Sequence, residues 1–219
     1  MISDTKPVIL ADHDEIVFAL KPAGYLSEEN ASEDNMVSYL SRELSCEIFA
    51  VHRLDRAVGG VMVFAKNKRT AAEFASRDFM EKEYFAVVHG ETEDGGVLKD
   101  LLFKDSRANK SYVVKRMRRG VKEAALSYET LARRDGLSFV SVKLQTGRSH
   151  QIRVQFSSRR HPIVGDGKYG ASDGCGIALF SRKILIPDLS GNGYGAAVDP
   201  DVKTYPWSLF GPEIVNCDK

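Results

Sequence analysis

The stretch CEIFAVHRLDRAVGGVMVFAKN, residues 46–67, holds two apolar runs, CEIFAVHRL (46–54) and GVMVFAKN (60–67), joined by a segment that ends in two glycines. Val, Ile and Phe at this density favour extended chain, and Gly59-Gly60 marks a turn between two strands. Asp55 sits in that turn between Arg53 and Arg56, an acid wedged between cations inside an apolar frame. Similar short runs recur on both sides: VILA (8–11), EIVFALKP (15–22), YFAVVHG (84–90), AALSYETLAR (124–133) and LSFVSVKLQ (137–145). Helical spacing joins Met36, Val37, Leu40 and Leu44, and recurs in KRTAAEFASRDFM, 68–80. The expected class is α+β: a mixed, mostly antiparallel sheet with flanking helices and loops. The segment LSGNGYGAAVDPDVKTYP, 189–206, reads as loop from its Gly, Pro and Asp content.

A chain of 219 residues with 43% hydrophobic and 28% charged residues has the composition of a globular protein, long enough for one domain or two and read as a single domain over 1–219. Its three cysteines are widely spaced and never form CxxC, which argues against a disulfide framework and a thiolate metal site. The five histidines show no metal-ligand spacing. The N-terminus lacks a signal-like apolar run and no segment approaches about 18 consecutive apolar residues, so a cytoplasmic protein without a membrane span is expected.

Net charge is only +1, so any polyanionic partner must be recognised locally. Between 104 and 122 there are eight Lys or Arg against the single Asp105, and 146–170 carries Arg148, Arg153, Arg159, Arg160 and Lys168. Two readings stand: solvated faces, or a footprint for phosphate backbones, since cations supply most sequence-independent affinity for nucleic acid. No GxSxG, HExxH, GxxxxGK[ST] or GxGxxG is present. What remains is a set of acids and arginines in glycine-bounded segments.

Four blocks in order, ALKPAGYL (19–26), HRLDRAVGGVMVFAKN (52–67), EKEYFAVVHG (81–90) and TGRSHQIRVQFSSRRHPIVGDGKYG (146–170), resemble the RluA family of RNA pseudouridine synthases. The resemblance implies the pseudouridine synthase catalytic fold and a reaction: the N1 glycosidic bond of a uridine is broken, the base turns, and it rejoins through C5. It implies no metal and no organic cofactor. The RNA would be ribosomal or transfer RNA, the protein a monomer, and the short segment before the first block leaves no room for an S4 RNA-binding module.

Carried over by position, Asp55 matches the catalytic aspartate, a carboxylate acting as nucleophile at the ribose C1′ or at the base. Desolvation opposes the charged form of such a group by up to several pKa units and a neighbouring Arg favours it by about 1 to 3, and the resemblance supplies Arg153 as that partner. Tyr84 matches the tyrosine that lies against the flipped base, where stacking is worth about 1–3 kcal/mol. Ile152 matches an apolar residue beside that ring. Arg53 matches a position that contacts RNA; Arg148, His150, Arg116, Arg118 and Arg119 complete the expected substrate-binding set. Structural readings stand beside these: a tie between an Asp and an Arg, a half-buried strand tyrosine, a core isoleucine, solvent-facing arginines.

Lys21 and the pair Gly165-Asp166 are read as structural, the lysine pairing with a carboxylate. The segment SHQIRVQFSS alternates as a strand would at Ile152, Val154 and Phe156, while Ser149 is a possible N-cap and the resemblance favours a helix. The chain departs from the family where Thr-Ser-Gly usually follows HRLD and Val58-Gly59-Gly60 stands instead, removing two hydroxyls that would brace the loop. Gln155 replaces a frequent histidine and Arg160 a frequent glycine. Two other classes stay open: a non-catalytic RNA-binding or ribosome-assembly protein that kept the fold, and a hydrolase using a carboxylate pair, for which Asp166 is the second acid on offer.

Overall fold

A computed structural model describes residues 6–76, 80–187 and 193–217. In chain order the elements are β1 (Val8–Asp12), β2 (Ile16–Lys21), α1 (Met36–Leu44), β3 (Phe49–Ala50), β4 (Gly59–Ala65), α2 (Lys68–Ser76), β5 (Glu81–His89), β6 (Gly95–Asp105), β7 (Lys110–Val114), β8 (Val121–Arg134), β9 (Leu137–Leu144), α3 (Gln151–Ser157), β10 (Leu179–Ile186), β11 (Tyr194–Ala197) and α4 (Gly211–Asn216). The class is α+β; within the described residues β1–β2, β2–β4, β3–β4, β10–β11, β5–β9, β9–β8, β8–β6 and β6–β7 pair antiparallel, and β4 pairs with β10 in parallel. The chain divides into two compact units, one running up to Lys82 and including Phe180–Val198, the other holding Glu83–Leu179 and the chain from Asp199 onward.

In the first unit β4 is central. It pairs with β2 from Ile16↔Ala65 to Lys21↔Gly60, with β3 at Phe49↔Ala65, and with β10 at Phe180↔Gly59 and Ser181↔Gly60. One face buries Phe18, Val61, Val63 and Ile184 against Phe74 of α2. Alternate residues of β2 and β4 are buried too, so these strands lack the polar alternation of a half-exposed sheet. α1 begins at Asn35, whose side-chain oxygen accepts the Ser38 N–H, and buries Met36, Val37 and Leu40, the apolar stripe seen in the sequence.

The second unit is an antiparallel run in the order β5, β9, β8, β6, β7. α3 packs on the face bearing Leu102 and Ala124, with Val154 and Tyr169 joining them in one cluster. Trp207 and Phe210 pack on Phe139 of β9, at ring-centroid distances of 6.5 and 5.5 Å.

Several elements differ from the sequence reading. CEIFAVHRL yields only the two-residue β3, because the chain bends at Val51 and His52 and leaves HRLD as loop. The glycine pair lies not in the turn but at the start of β4. Gly60 has φ of +128° and faces the backbone of Ser181, so any Cβ there would overlap the parallel strand. The 189–206 stretch contains β11, and its residues 189–192 lie outside the described residues, as do residues 77–79 of the expected helix 68–80. The strands β6, β7 and β10 have no counterpart in the sequence reading. SHQIRVQFSS is helical, and its residues 151–156 are all buried, which is why Ile152, Val154 and Phe156 gave no amphipathic period. Ser149 does not cap it: the cap position is His150, in the left-handed conformation at φ 54°, and Ser149 O accepts the Ser111 hydroxyl at 2.7 Å.

Candidate active site

The HRLD loop belongs to the first unit, and its bracing is visible atom by atom. The Leu54 N–H donates to Ser27 Oγ, and the Ser27 hydroxyl donates back to Leu54 O, each at 3.0 Å. Val58 N–H closes the turn on Asp55 O at 2.9 Å. On the far side of the acid, the Arg56 carbonyl accepts Gly24 N–H at 2.7 Å and Lys21 Nζ at 3.2 Å. Asp55 is thus held between two residues whose backbone is pinned to the segment 21–27. Val58 and Gly59 bring no hydroxyl to this loop, and the side-chain hydrogen bonds described at its flanks come from Ser27 and Lys21.

Lys21 is fully buried and also donates to Pro22 O at 3.0 Å and Tyr25 O at 2.8 Å. The expected carboxylate partner is replaced by three carbonyls, which satisfy an ammonium's three donors. Burial drives its pKa from 10.5 down to about 7; the Asp55 carboxylate opposes that shift and the Arg56 cation adds to it. His52 accepts the Val63 N–H at Nε2, 3.1 Å, and burial, helped by Lys82, lowers its pKa to about 3. A neutral ring accepting at Nε2 carries its proton on Nδ1, which meets no hydrogen-bond partner among the described residues. The ring therefore anchors HRLD to β4 as a neutral acceptor.

The two cations beside Asp55 face solvent. Arg53 pairs with Glu28 at 3.0 Å, their side chains 60% and 58% exposed. Arg56 pairs with Glu33 and donates from Nε to Gly24 O at 2.9 Å. The carboxylates come from EENASEDN, 28–35, a loop closed by Leu26 N–H to Asp34 O and by Asn35 Nδ2 to Asn30 O and Glu33 O. A concavity of about 700 Å³ opens beside it, lined in part by Tyr25, Tyr39, Arg42 and Arg56.

The second unit gathers a different set. Arg153, buried on α3, donates from Nε to Asp166 Oδ2 at 2.7 Å and from its terminal NH2 to Asp166 Oδ1 at 2.8 Å. Its guanidinium lies 5.1 Å from the centroid of the Tyr169 ring. Tyr169 Oη in turn accepts Ser111 N–H at 2.8 Å and meets His150 Nδ1 at 2.9 Å. Asp166, read as part of a structural turn, is the acid that fixes the arginine, so it is committed as a salt-bridge partner. Tyr84 is buried on β5 opposite Val142, and Ile152 is buried on α3. Arg148 donates to Glu123 O at 2.9 Å, which ties the turn before α3 to β8. Arg116, Arg118 and Arg119 are exposed on the loop joining β7 to β8, with Arg118 stacked 5.0 Å over Phe103.

The family departures acquire reasons. Gln155 donates to Leu98 O at 3.2 Å and to Asp100 at 2.7 Å, tying α3 to β6. Arg160 has φ of 68°, the left-handed conformation that favours the glycine common there. Sequence reasoning missed Ser27 and Tyr169 as supporting groups, Tyr169 alone lying in a quoted motif, and it read Asp166 as structural without its tie to Arg153. Among the described residues no cluster of His, Cys, Asp or Glu is arranged to hold a metal, and no helix is long and apolar enough to cross a membrane.

A family model for RNA pseudouridylate synthase matches residues 15–158. The chain is 32% identical over 182 residues to tRNA pseudouridine synthase C of Vibrio parahaemolyticus, covering 74% of this chain and 72% of that one. It is 35% identical over 189 residues to the dual-specificity RNA pseudouridine synthase RluA of Vibrio vulnificus, covering 81% and 74%. It is 31% identical over 210 residues to ribosomal large subunit pseudouridine synthase D of Borreliella burgdorferi, covering 86% and 63%. Among solved structures, human RNA pseudouridylate synthase domain containing 4 superposes with a TM-score of 0.74 at 22% identity, covering 94% and 92%, a likeness of fold. With the HRLD and HQIRV blocks inside the matched span, the chain belongs to the RluA family of RNA pseudouridine synthases.

Proposed function

We propose that this protein converts uridine to pseudouridine in a structured transfer or ribosomal RNA, with Asp55 as the nucleophile. The observation that carries the assignment is the position of Asp55 at the acid of HRLD, in a loop pinned on one side by Ser27 and on the other by Lys21. A nucleophile must be placed before it reacts, and a loop held at both flanks by buried groups provides that. Both substrate classes occur among the named relatives, which include transfer and ribosomal RNA synthases. No feature favours a non-catalytic role.

Arg153 is assigned as the cationic partner of the acid, Tyr84 as the ring that receives the flipped base, and Ile152 as its apolar neighbour. Stacking worth about 1–3 kcal/mol offsets the few kcal/mol lost when a base leaves its stack. Arg53, Arg148, His150 and the loop arginines Arg116, Arg118 and Arg119 are assigned to the RNA backbone. The family match runs through both compact units, which supports residues 1–219 acting as one catalytic domain. The protein is read as a cytoplasmic monomer. The test is conversion of transfer and ribosomal RNA lacking pseudouridine by wild type and by Asp55→Asn. Wild type should form pseudouridine at defined sites, and the variant should bind RNA yet form none. Equal activity of the two would remove Asp55 from the reaction.

A further inference from the structure

Arg153 is fixed by Asp166, and the structure shows what fixes Asp166. Its N–H donates to Ile163 O at 3.0 Å, and its carbonyl accepts Tyr169 N–H at 3.0 Å and Ala171 N–H at 3.2 Å. One residue earlier, Gly165 N–H donates to Asp173 Oδ2 at 2.7 Å. The Asp173 carboxylate also meets His89 Nε2, 3.0 Å from Oδ1 and 3.1 Å from Oδ2, at the end of β5. Gly165 has φ of +77°, and the carbonyls of Cys175 and Gly176 fill the space where a Cβ would stand. The turn is therefore backed by chain on one side and tethered on the other. Burial works against the Asp173 carboxylate, but the Gly165 N–H and the His89 ring outweigh it and hold its pKa below the ordinary value.

We propose that Asp173 and His89 are positioning residues for Arg153. By tying the Gly165 amide to the end of β5, they set where the Asp166 carboxylate stands, and through its two parallel bonds the orientation of the guanidinium. A two-point fork transmits displacement because neither bond can lengthen alone without losing the planar geometry. Neither residue touches a reacting group. The inference rests on the assignment of Arg153 to the catalytic set.

The experiment compares Asp173→Ala, Asp173→Asn and His89→Ala with Arg134→Ala, a control that loses an exposed ion pair to Glu213 on α4. A misplacement of about 1 Å lowers rates by about 100-fold, so Asp173→Ala should lower kcat by about 10- to 100-fold. RNA affinity and KM should stay within about two-fold, and the Arg153 Nε–H resonance should move. Asp173→Asn should recover most of the rate, because an amide still accepts from Gly165 and donates to His89. His89→Ala should show a smaller loss of the same kind, and Arg134→Ala none. A kcat within two-fold of wild type in folded Asp173→Ala, or a rise in KM alone, overturns the proposal. If Asp173→Ala does not fold, an unchanged kcat in His89→Ala overturns it. The resonance separates this inference from the function it rests on: an inactive wild type contradicts the catalytic reading, whereas an Arg153 signal that stays put in Asp173→Ala contradicts the positioning reading.

Discussion

Two groups of arginines in this protein are held in opposite ways. Arg53 and Arg56 flank Asp55 in sequence, face solvent and pair with Glu28 and Glu33 on an acidic loop. Arg153 lies about a hundred residues further on, is buried, and is locked in a two-point bond to an equally buried Asp166. Exposed pairs of the first kind contribute about 0–1 kcal/mol and are screened by salt. They are easily exchanged for a phosphate. A buried fork costs several kcal/mol when one partner is removed, so its cation keeps one place. Nearness in sequence therefore misleads: the flanking arginines suit a substrate that comes and goes, and the distant one suits a fixed electrostatic task.

The strongest way to break this contrast is to loosen the buried cation. Arg153→Lys keeps the charge but loses the fork, and should lower kcat by about 100-fold or more while RNA binding is retained. A single-turnover assay beside a binding titration separates the two. If affinity falls and kcat does not, Arg153 belongs with the exposed group.

The exposed side is probed next by replacing Arg116, Arg118 and Arg119 together with Ala. Each phosphate contact contributes about 0.7 to 0.9 to the slope of log affinity against log salt, so the slope should become shallower by about two units. Filter binding across a salt series checks it, and an unchanged slope removes the loop from the RNA footprint.

Lys21 is a third kind of cation, buried with carbonyls in place of a carboxylate, and it predicts a pH effect on stability. Its pKa falls on folding from 10.5 to about 7. Below about 7 both states bind the proton and the group contributes no slope. Between those values the unfolded chain binds it and the folded chain does not, so stability rises with pH by up to about 1.4 kcal/mol per unit. Denaturant unfolding from pH 6 to 9 should show this rise in wild type relative to Lys21→Met. Parallel curves would mean that the ammonium keeps its ordinary pKa.

The smallest expected effect sharpens the exposed pairs themselves. Glu28→Gln with Glu33→Gln frees Arg53 and Arg56 from intramolecular competition, and should raise RNA affinity by up to about five-fold at low salt, with the gain fading at high salt. A loss of affinity would show instead that the acidic loop contributes contacts of its own.

These contrasts also mark what a sequence reveals. β2, β4, β5 and β9 were legible because their apolar runs are buried on both faces, and α1 because its stripe and the Asn35 cap agree. β6 was hidden by Lys99, Asp100 and Lys104, which interrupt Leu98 and Leu102 on a strand exposed along much of its length. The helical state of α3 came from the family likeness, since burial all round leaves no period to read. At the proposed site, Asp55, Tyr84 and Arg153 are assigned from their blocks. That Asp166 holds Arg153 and that Ser27 clamps Leu54 are contacts made by the fold between residues 13 and 27 positions apart, and residue types alone do not choose the partner.

The central claim is that the acid of HRLD forms pseudouridine, and a map of pseudouridine across cellular RNA tests it most directly. Cells lacking the protein should lose specific sites in transfer or ribosomal RNA, wild type should restore them, and Asp55→Asn should not. Restoration by Asp55→Asn, or the loss of no site at all, would contradict the account.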